Sequence, residues 1–99
     1  MPPIIYSFEG INIVIYPNDH DPIHIHAKYG EYETIFVLIY NNGELVNITE
    51  RSSGKKSIPI NKRKKIIKFI KLYHLKIVKK WTQIVILKQT VKFTKITNL

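Results

Sequence analysis

Along the first half of the chain apolar positions alternate with polar ones, and in the second half they take up a helical spacing. Residues 4–8 and 11–16 are β-branched, apolar runs separated by Glu9-Gly10, the pattern of a tight hairpin. Pro17-Asn18-Asp19-His20-Asp21-Pro22 concentrates turn formers and predicts a loop. In residues 23–29, Ile23, Ile25, Ala27 and Tyr29 alternate with His24, His26 and Lys28, which predicts a strand with two unlike faces. Gly30-Glu31 turns the chain into a β-prone run at 32–40. Asn41-Asn42-Gly43 then leads it back through 44–49, and 51–56 reads as polar loop.

Beyond Pro59 the period lengthens. Ile66, Ile70, Tyr73, Ile77, Trp81 and Ile84 recur at intervals of three and four, one face of a helix, with Lys64, Lys68 and Lys71 on a neighbouring stripe. Asn61 is the expected N-cap. Residues 84–87 turn β-branched and leave the helix end open, and 91–96 reads as a last strand. The sum is an α+β protein, a curved antiparallel sheet of five or six strands with one long C-terminal-half helix packed on one face.

Composition sets the bounds of the reading. Ninety-nine residues, 44% of them apolar, predict a single domain spanning 1–99 with one modest core. The absence of cysteine excludes disulfides, thiol catalysis and cysteine-ligated zinc. Lysines interrupt every apolar run, so no membrane span is expected, and Met1-Pro2-Pro3-Ile4-Ile5 has no signal-peptide pattern. The expected location is the cytoplasm.

The net charge of +9 is unevenly distributed. Seven acids against Lys28 alone give the first fifty residues a charge of −6, and thirteen lysines with two arginines and no acid give the remainder +15. So dense a cationic half attracts polyanions, nucleic acid first, although a lysine-rich surface or docking on an acidic partner protein accounts for it equally well. Lys62, Arg63, Lys64 and Lys65 fall in the first turn of the predicted helix, where the macrodipole disfavours cations by roughly 0.3–1 kcal/mol each. An anion bound there would rationalise them, with Lys68 extending the patch.

The densest chemistry lies at residues 19–26. His24 and His26, two apart on a strand, leave the same face with β-carbons about 7 Å apart. His20 precedes them across a loop able to fold it back, and Asp19 and Asp21 flank it. Three chemistries use such a set. The three imidazoles can ligate a divalent metal with a position left open. Two of them can act as general base and general acid on a phosphodiester, as imidazoles near pKa ~6.5 do at neutral pH. Or the cluster can be structural. Glu31 and Glu33, one strand on, are weaker candidates for a metal site. His74 is expected as a half-buried helix residue, and Trp81 as core. Tyr29, Tyr32 and Tyr40 suit sheet packing better than base stacking. There is no Gly-rich phosphate loop, Ser-His-Asp order or helix-turn-helix pattern.

Asp19-His20-Asp21-Pro22-Ile23-His24-Ile25-His26-Ala27 resembles the Asp-His-x-Pro-Pro-His-Phe-His-Val signature of the bacterial family catalogued as domain of unknown function 4160. Met1-Pro2-Pro3-Ile4, Tyr29-Gly30-Glu31-Tyr32-Glu33, Gly43, a helix ending near Trp81 and Ile96-x-x-Leu99 extend the resemblance over essentially the whole chain. Ile23 stands where the family has a second proline, and the stretch after Trp81 is more β-branched. The resemblance implies a toxin-like component of a type II toxin–antitoxin module, with a small cognate antitoxin as partner.

The expectation is therefore a toxin-like nucleic-acid-binding protein, an RNA-directed nuclease with His20, His24 and His26 as its catalytic or metal-holding histidines and Asp19 orienting them. Lys62, Arg63, Lys64, Lys65 and Lys68 would contact nucleic acid, RNA in preference to DNA. The alternative is a non-catalytic module that docks on a cognate antitoxin or DNA, its histidines structural.

Overall fold

A computed structural model describes residues 4–99. Strands β1 (Ile4–Phe8), β2 (Ile11–Val14), β3 (His24–Tyr29), β4 (Tyr32–Asn41) and β5 (Glu44–Ser52) precede one long helix, α1 (Ile60–Trp81), and a short β6 (Thr94–Lys95) follows it. The strands form one sheet in the order β5-β4-β3-β2-β1-β6. The first five pair antiparallel, as the hairpin signals predict, whereas β6 runs parallel to β1. The expected antiparallel sheet is thus a mixed one, because the chain reaches β6 by crossing over along the helix. The last strand is also shorter than expected, two residues within 91–96.

Two hairpins turn on pairs of residues with positive φ. These are Glu9 and Gly10 at 49° and 79°, and Asn42 and Gly43 at 52° and 81°. Both pairs match the type I′ geometry, whose twist suits that of the flanking strands. Gly10 is further constrained, since a β-carbon there would stand 3.5 Å from the Tyr29 ring.

Helix α1 lies across one sheet face. Its buried side chains are Ile66, Phe69, Ile70, Ile77 and Trp81, close to the predicted stripe, with Phe69 added and Tyr73 only half-buried. They meet Tyr6, Phe8, Ile11, Ile13, Ile25 and Phe36 from the sheet. Asn61 is not the N-cap: the cap position is Pro59, which offers no side-chain acceptor, and Asn61 lies inside the first turn. At the far end the helix widens instead of stopping. Thr82–Ile86 is π-helical, and the Thr82 hydroxyl donates to the Val78 carbonyl at 2.9 Å. The β-branched residues that left the helix end open in the sequence are this segment, with Ile84 and Val85 buried.

The connection from β5 to α1 is strapped to β4. The Glu33 amide donates to the Lys56 carbonyl at 3.0 Å, and the Ile58 amide donates to Thr34 Oγ1 at 3.0 Å. Thr34 and Ile58 are both buried, so Thr34→Val keeps the shape and orphans an amide. It should destabilise the protein by about 1–3 kcal/mol in urea unfolding, and Thr34→Ser, which keeps the acceptor, should recover most of that.

Candidate functional site

Because Ile25 and Ala27 enter the core, the alternation of β3 sends His24 and His26 to the sheet face turned away from α1. There His24 lies opposite Val37, and His26 lies between Val14 and Ile35. The loop from β2 to β3 folds over this face and brings Asp19 onto both imidazoles.

Each of the three groups is held from behind. The Tyr16 amide donates to Asp19 Oδ2 at 3.0 Å, and the Asp19 amide donates to the Tyr16 carbonyl at 3.0 Å, which aims Oδ1 inward. His24 Nδ1 stands 2.7 Å from the Pro22 carbonyl. A carbonyl only accepts, so Nδ1 carries the proton. His26 Nδ1 lies 3.3 Å from Glu33 Oε2 and donates to it by the same reasoning. In each neutral ring Nε2 is then left with a bare lone pair.

Those two lone pairs point at one carboxylate oxygen. His24 Nε2 is 3.4 Å and His26 Nε2 3.6 Å from Asp19 Oδ1. The three side chains retain only 6, 13 and 12% of their exposure, in the order His24, His26, Asp19. His26 Nε2 is buried without a hydrogen-bond partner. In neutral rings these lone pairs face the carboxylate oxygen with no proton between them, an arrangement that a shared cation would satisfy. The ligand atoms all lie within 4.8 Å of one another. The two nitrogen–oxygen separations are close to the edge of a tetrahedron with bonds of about 2.0–2.1 Å, roughly 3.3–3.4 Å. The backing groups on both Nδ1 atoms are the outer partners that metal-ligating histidines need.

The surroundings are mixed in charge. Lys55 Nζ lies 3.7 Å and Lys28 Nζ 4.0 Å from Glu33 Oε1, so a second carboxylate sits beside the cluster with cations on its outer side. The Tyr16 hydroxyl chiefly, against a loss of hydration and with the charge of Glu33 added, holds the Lys28 pKa above the usual lysine range. The Tyr16 ring also packs edge-on against His26, with centroids 4.6 Å apart.

Asp19, His24 and His26 therefore come together as a group. His20 does not join them: it is exposed on the loop, its Nδ1 2.9 Å from the Asp21 carbonyl. Glu33, a weaker metal-site candidate in the sequence, stands behind His26 and accepts from its Nδ1, while Glu31 is exposed. Glu33 opposes Lys28 on β4, two residues before Ile35 and so on the face of His26. The basic residues at the helix start lie across the sheet from the histidines. Arg63 Nε pairs with Glu50 at 2.8 Å, and Lys65 pairs with Glu9 at 2.5 Å. Lys62 Nζ stands 5.5 Å from the Tyr29 ring centroid, and Lys64 and Lys68 are exposed. His74 is half-buried and hydrogen-bonded to the Tyr40 hydroxyl at 2.8 Å.

Fold and site together define an α+β protein with a mixed sheet, one helix on its inner face and a histidine–carboxylate cluster on its outer face. The chain belongs to the family described as Domain of unknown function (DUF4160), whose model matches residues 10–82. That span contains the whole cluster. No curated protein and no solved structure matches the chain. Among the described residues no helix is long and apolar enough to cross a membrane.

Proposed function

We propose that the protein is a metal-dependent, RNA-directed nuclease of the toxin-like kind, its divalent ion held by Asp19, His24 and His26. The observation that carries this reading is the convergence of two imidazole nitrogens and one carboxylate oxygen, each side chain oriented by a hydrogen bond from behind. Two imidazoles and one carboxylate suit zinc or a related divalent ion and leave positions for water and substrate. Such an ion polarises a phosphoryl oxygen and activates water at neutral pH. Lys28 and Lys55, which pair with Glu33 beside the cluster, offer cations for a phosphate backbone. The suspected cellular setting is a toxin–antitoxin pair, with a small acidic antitoxin as the complement of the cationic half.

The test is cleavage of single-stranded RNA by protein loaded in turn with zinc, manganese or magnesium. With its preferred metal the wild type should cut at least about a hundredfold faster than His24→Ala or His26→Ala. RNA that stays intact with every metal refutes the nuclease assignment.

One observation favours a second reading, a non-catalytic module that docks on a partner protein or DNA. The cluster's side chains are nearly closed off from solvent, as in a structural metal site. In addition, β5 is a nine-residue edge strand, mostly exposed, with one side unpaired in the sheet. Stoichiometric metal without RNA cleavage would select this reading.

A further inference from the structure

A second site lies away from the cluster, where the end of α1 meets the C-terminal segment. A cavity of about 470 Å³ opens there, walled by Tyr6 and Tyr73 and by four lysines, Lys76, Lys79, Lys80 and Lys92. No carboxylate lines it. Among the described residues none of the four lysines makes an ion pair, while Glu9, Glu33 and Glu50 are matched to other cations.

Stability alone does not explain this arrangement. Lys79 and Lys80 near the end of α1 do complement the macrodipole. Lys76 opposes them, however, since like charges three and four residues apart on a helix repel. Lys92 arrives from a separate segment and faces the same cavity. Lys80 is half-buried, its Nζ 4.1 Å from the Tyr6 ring centroid and 2.8 Å from the Lys92 carbonyl that accepts from it. Burial first, then the charges of Lys76 and Lys92, press its pKa below the usual lysine range. An ammonium group held in place, partly dehydrated and crowded by like charges is what an anion would relieve. The cavity is larger than one phosphate needs and lies within the range of small-ligand sites, about 300–1,000 Å³. Tyr6 is buried beneath Lys80, and the half-buried Tyr73 is the aromatic wall left to meet a planar base.

We propose that this cavity binds a phosphate group together with its attached base, as one nucleotide of an RNA strand. The inference rests on the RNA part of the reading above and adds, at the end of α1, a phosphate contact beyond Lys28 and Lys55. One phosphate neutralised on a single strand contributes a salt slope of about 0.7 in log–log terms.

The experiment uses metal-free full-length protein, so that nothing is cut. A labelled single-stranded oligoribonucleotide and adenosine monophosphate are titrated against the wild type, Lys76→Gln/Lys92→Gln and Lys64→Gln/Lys68→Gln. All four substituted lysines are exposed, so folding is retained. The Lys76/Lys92 variant should bind RNA roughly tenfold more weakly at low salt and lose about 0.7 from the slope. The Lys64/Lys68 variant should stay close to wild type. The melting temperature of the ligand-free Lys76/Lys92 variant should be equal or higher, because repulsion has been removed. Lysine-dependent binding of the mononucleotide as tightly as the oligomer would identify free nucleotide as the source and still support the site. Wild-type affinity in the Lys76/Lys92 variant overturns the site while leaving the RNA reading intact, and a wild type that binds neither probe overturns the site outright.

Discussion

Stripped of metal and titrated with zinc, the protein should bind one equivalent, and His26→Ala should weaken that binding by at least about a hundredfold. The expectation comes from which atoms are bare. His24 Nδ1 is committed to the Pro22 carbonyl and His26 Nδ1 to Glu33, so only the Nε2 atoms are free, and both face Asp19 Oδ1. Removing His26 takes away one of three ligands. Glu33→Gln leaves all three in place and removes the charge that strengthens His26 as a ligand. Its effect should be smaller, about 10–100-fold. His20→Ala should bind zinc like the wild type, because His20 sits apart on the exposed loop. Isothermal titration calorimetry at fixed pH measures all three. If no metal among zinc, manganese, cobalt and nickel binds stoichiometrically, the metal centre is wrong. Equal losses from His20→Ala and His26→Ala would mean that the loop closes differently from the arrangement described.

Phe69→Ala should destabilise the fold by about 3–5 kcal/mol, the largest effect expected of any single truncation in this chain. Phe69 is fully buried at the centre of α1, with its ring centroid 4.8 Å from Phe8, 5.1 Å from Tyr6 and 5.0 Å from Tyr73. Three aromatic neighbours anchored on β1 and α1 cannot collapse into the vacated space. The cavity term therefore adds to the lost transfer energy. For a chain of this size the melting temperature should fall by more than about 12 °C. Leu72→Ala, on the same helix but 63% exposed, is the control and should change stability by less than about 0.5 kcal/mol. A Phe69 variant that unfolds within 1 kcal/mol of the wild type, on the order of a surface change, would mean that α1 is not held by this cluster.

Strands and helix were readable in the sequence because their signals are local. Alternation around His24–Tyr29, paired positive-φ turn residues and the 66–81 stripe each depend on near neighbours alone. Phe69 escaped the stripe because the buried face of α1 is broad enough to take in a residue adjacent to Ile70. Less was readable where distant segments meet. The parallel pairing of β6 with β1 joins residues nearly ninety positions apart and rests on two residue pairs. Asn61 has the chemistry of an N-cap, but the chain enters the helix two residues too early to use it. In the candidate site, the pair His24 and His26 followed from period two, and Asp19 from its place in the loop. The exchange of His20 for Glu33 depended on how the loop folds and on the register of β4, neither of which composition specifies. The lysine pocket was hidden for the same reason, since its four cations come from two segments and show in the sequence only as parts of a cationic half.

The strap between β4 and the start of α1 has a consequence for how the two sheet faces communicate. Glu33 orients a candidate metal ligand through its side chain and holds Lys56 through its amide, and the next residue, Thr34, holds the amide that leads into the helix. Two consecutive residues thus serve opposite faces of one sheet, acting as a lever with its fulcrum inside β4. A shift of the Glu33 backbone that tightened its grip on His26 would be passed directly to Ile58 and the first turn of α1. Occupancy of the outer face would then register as order on the inner one.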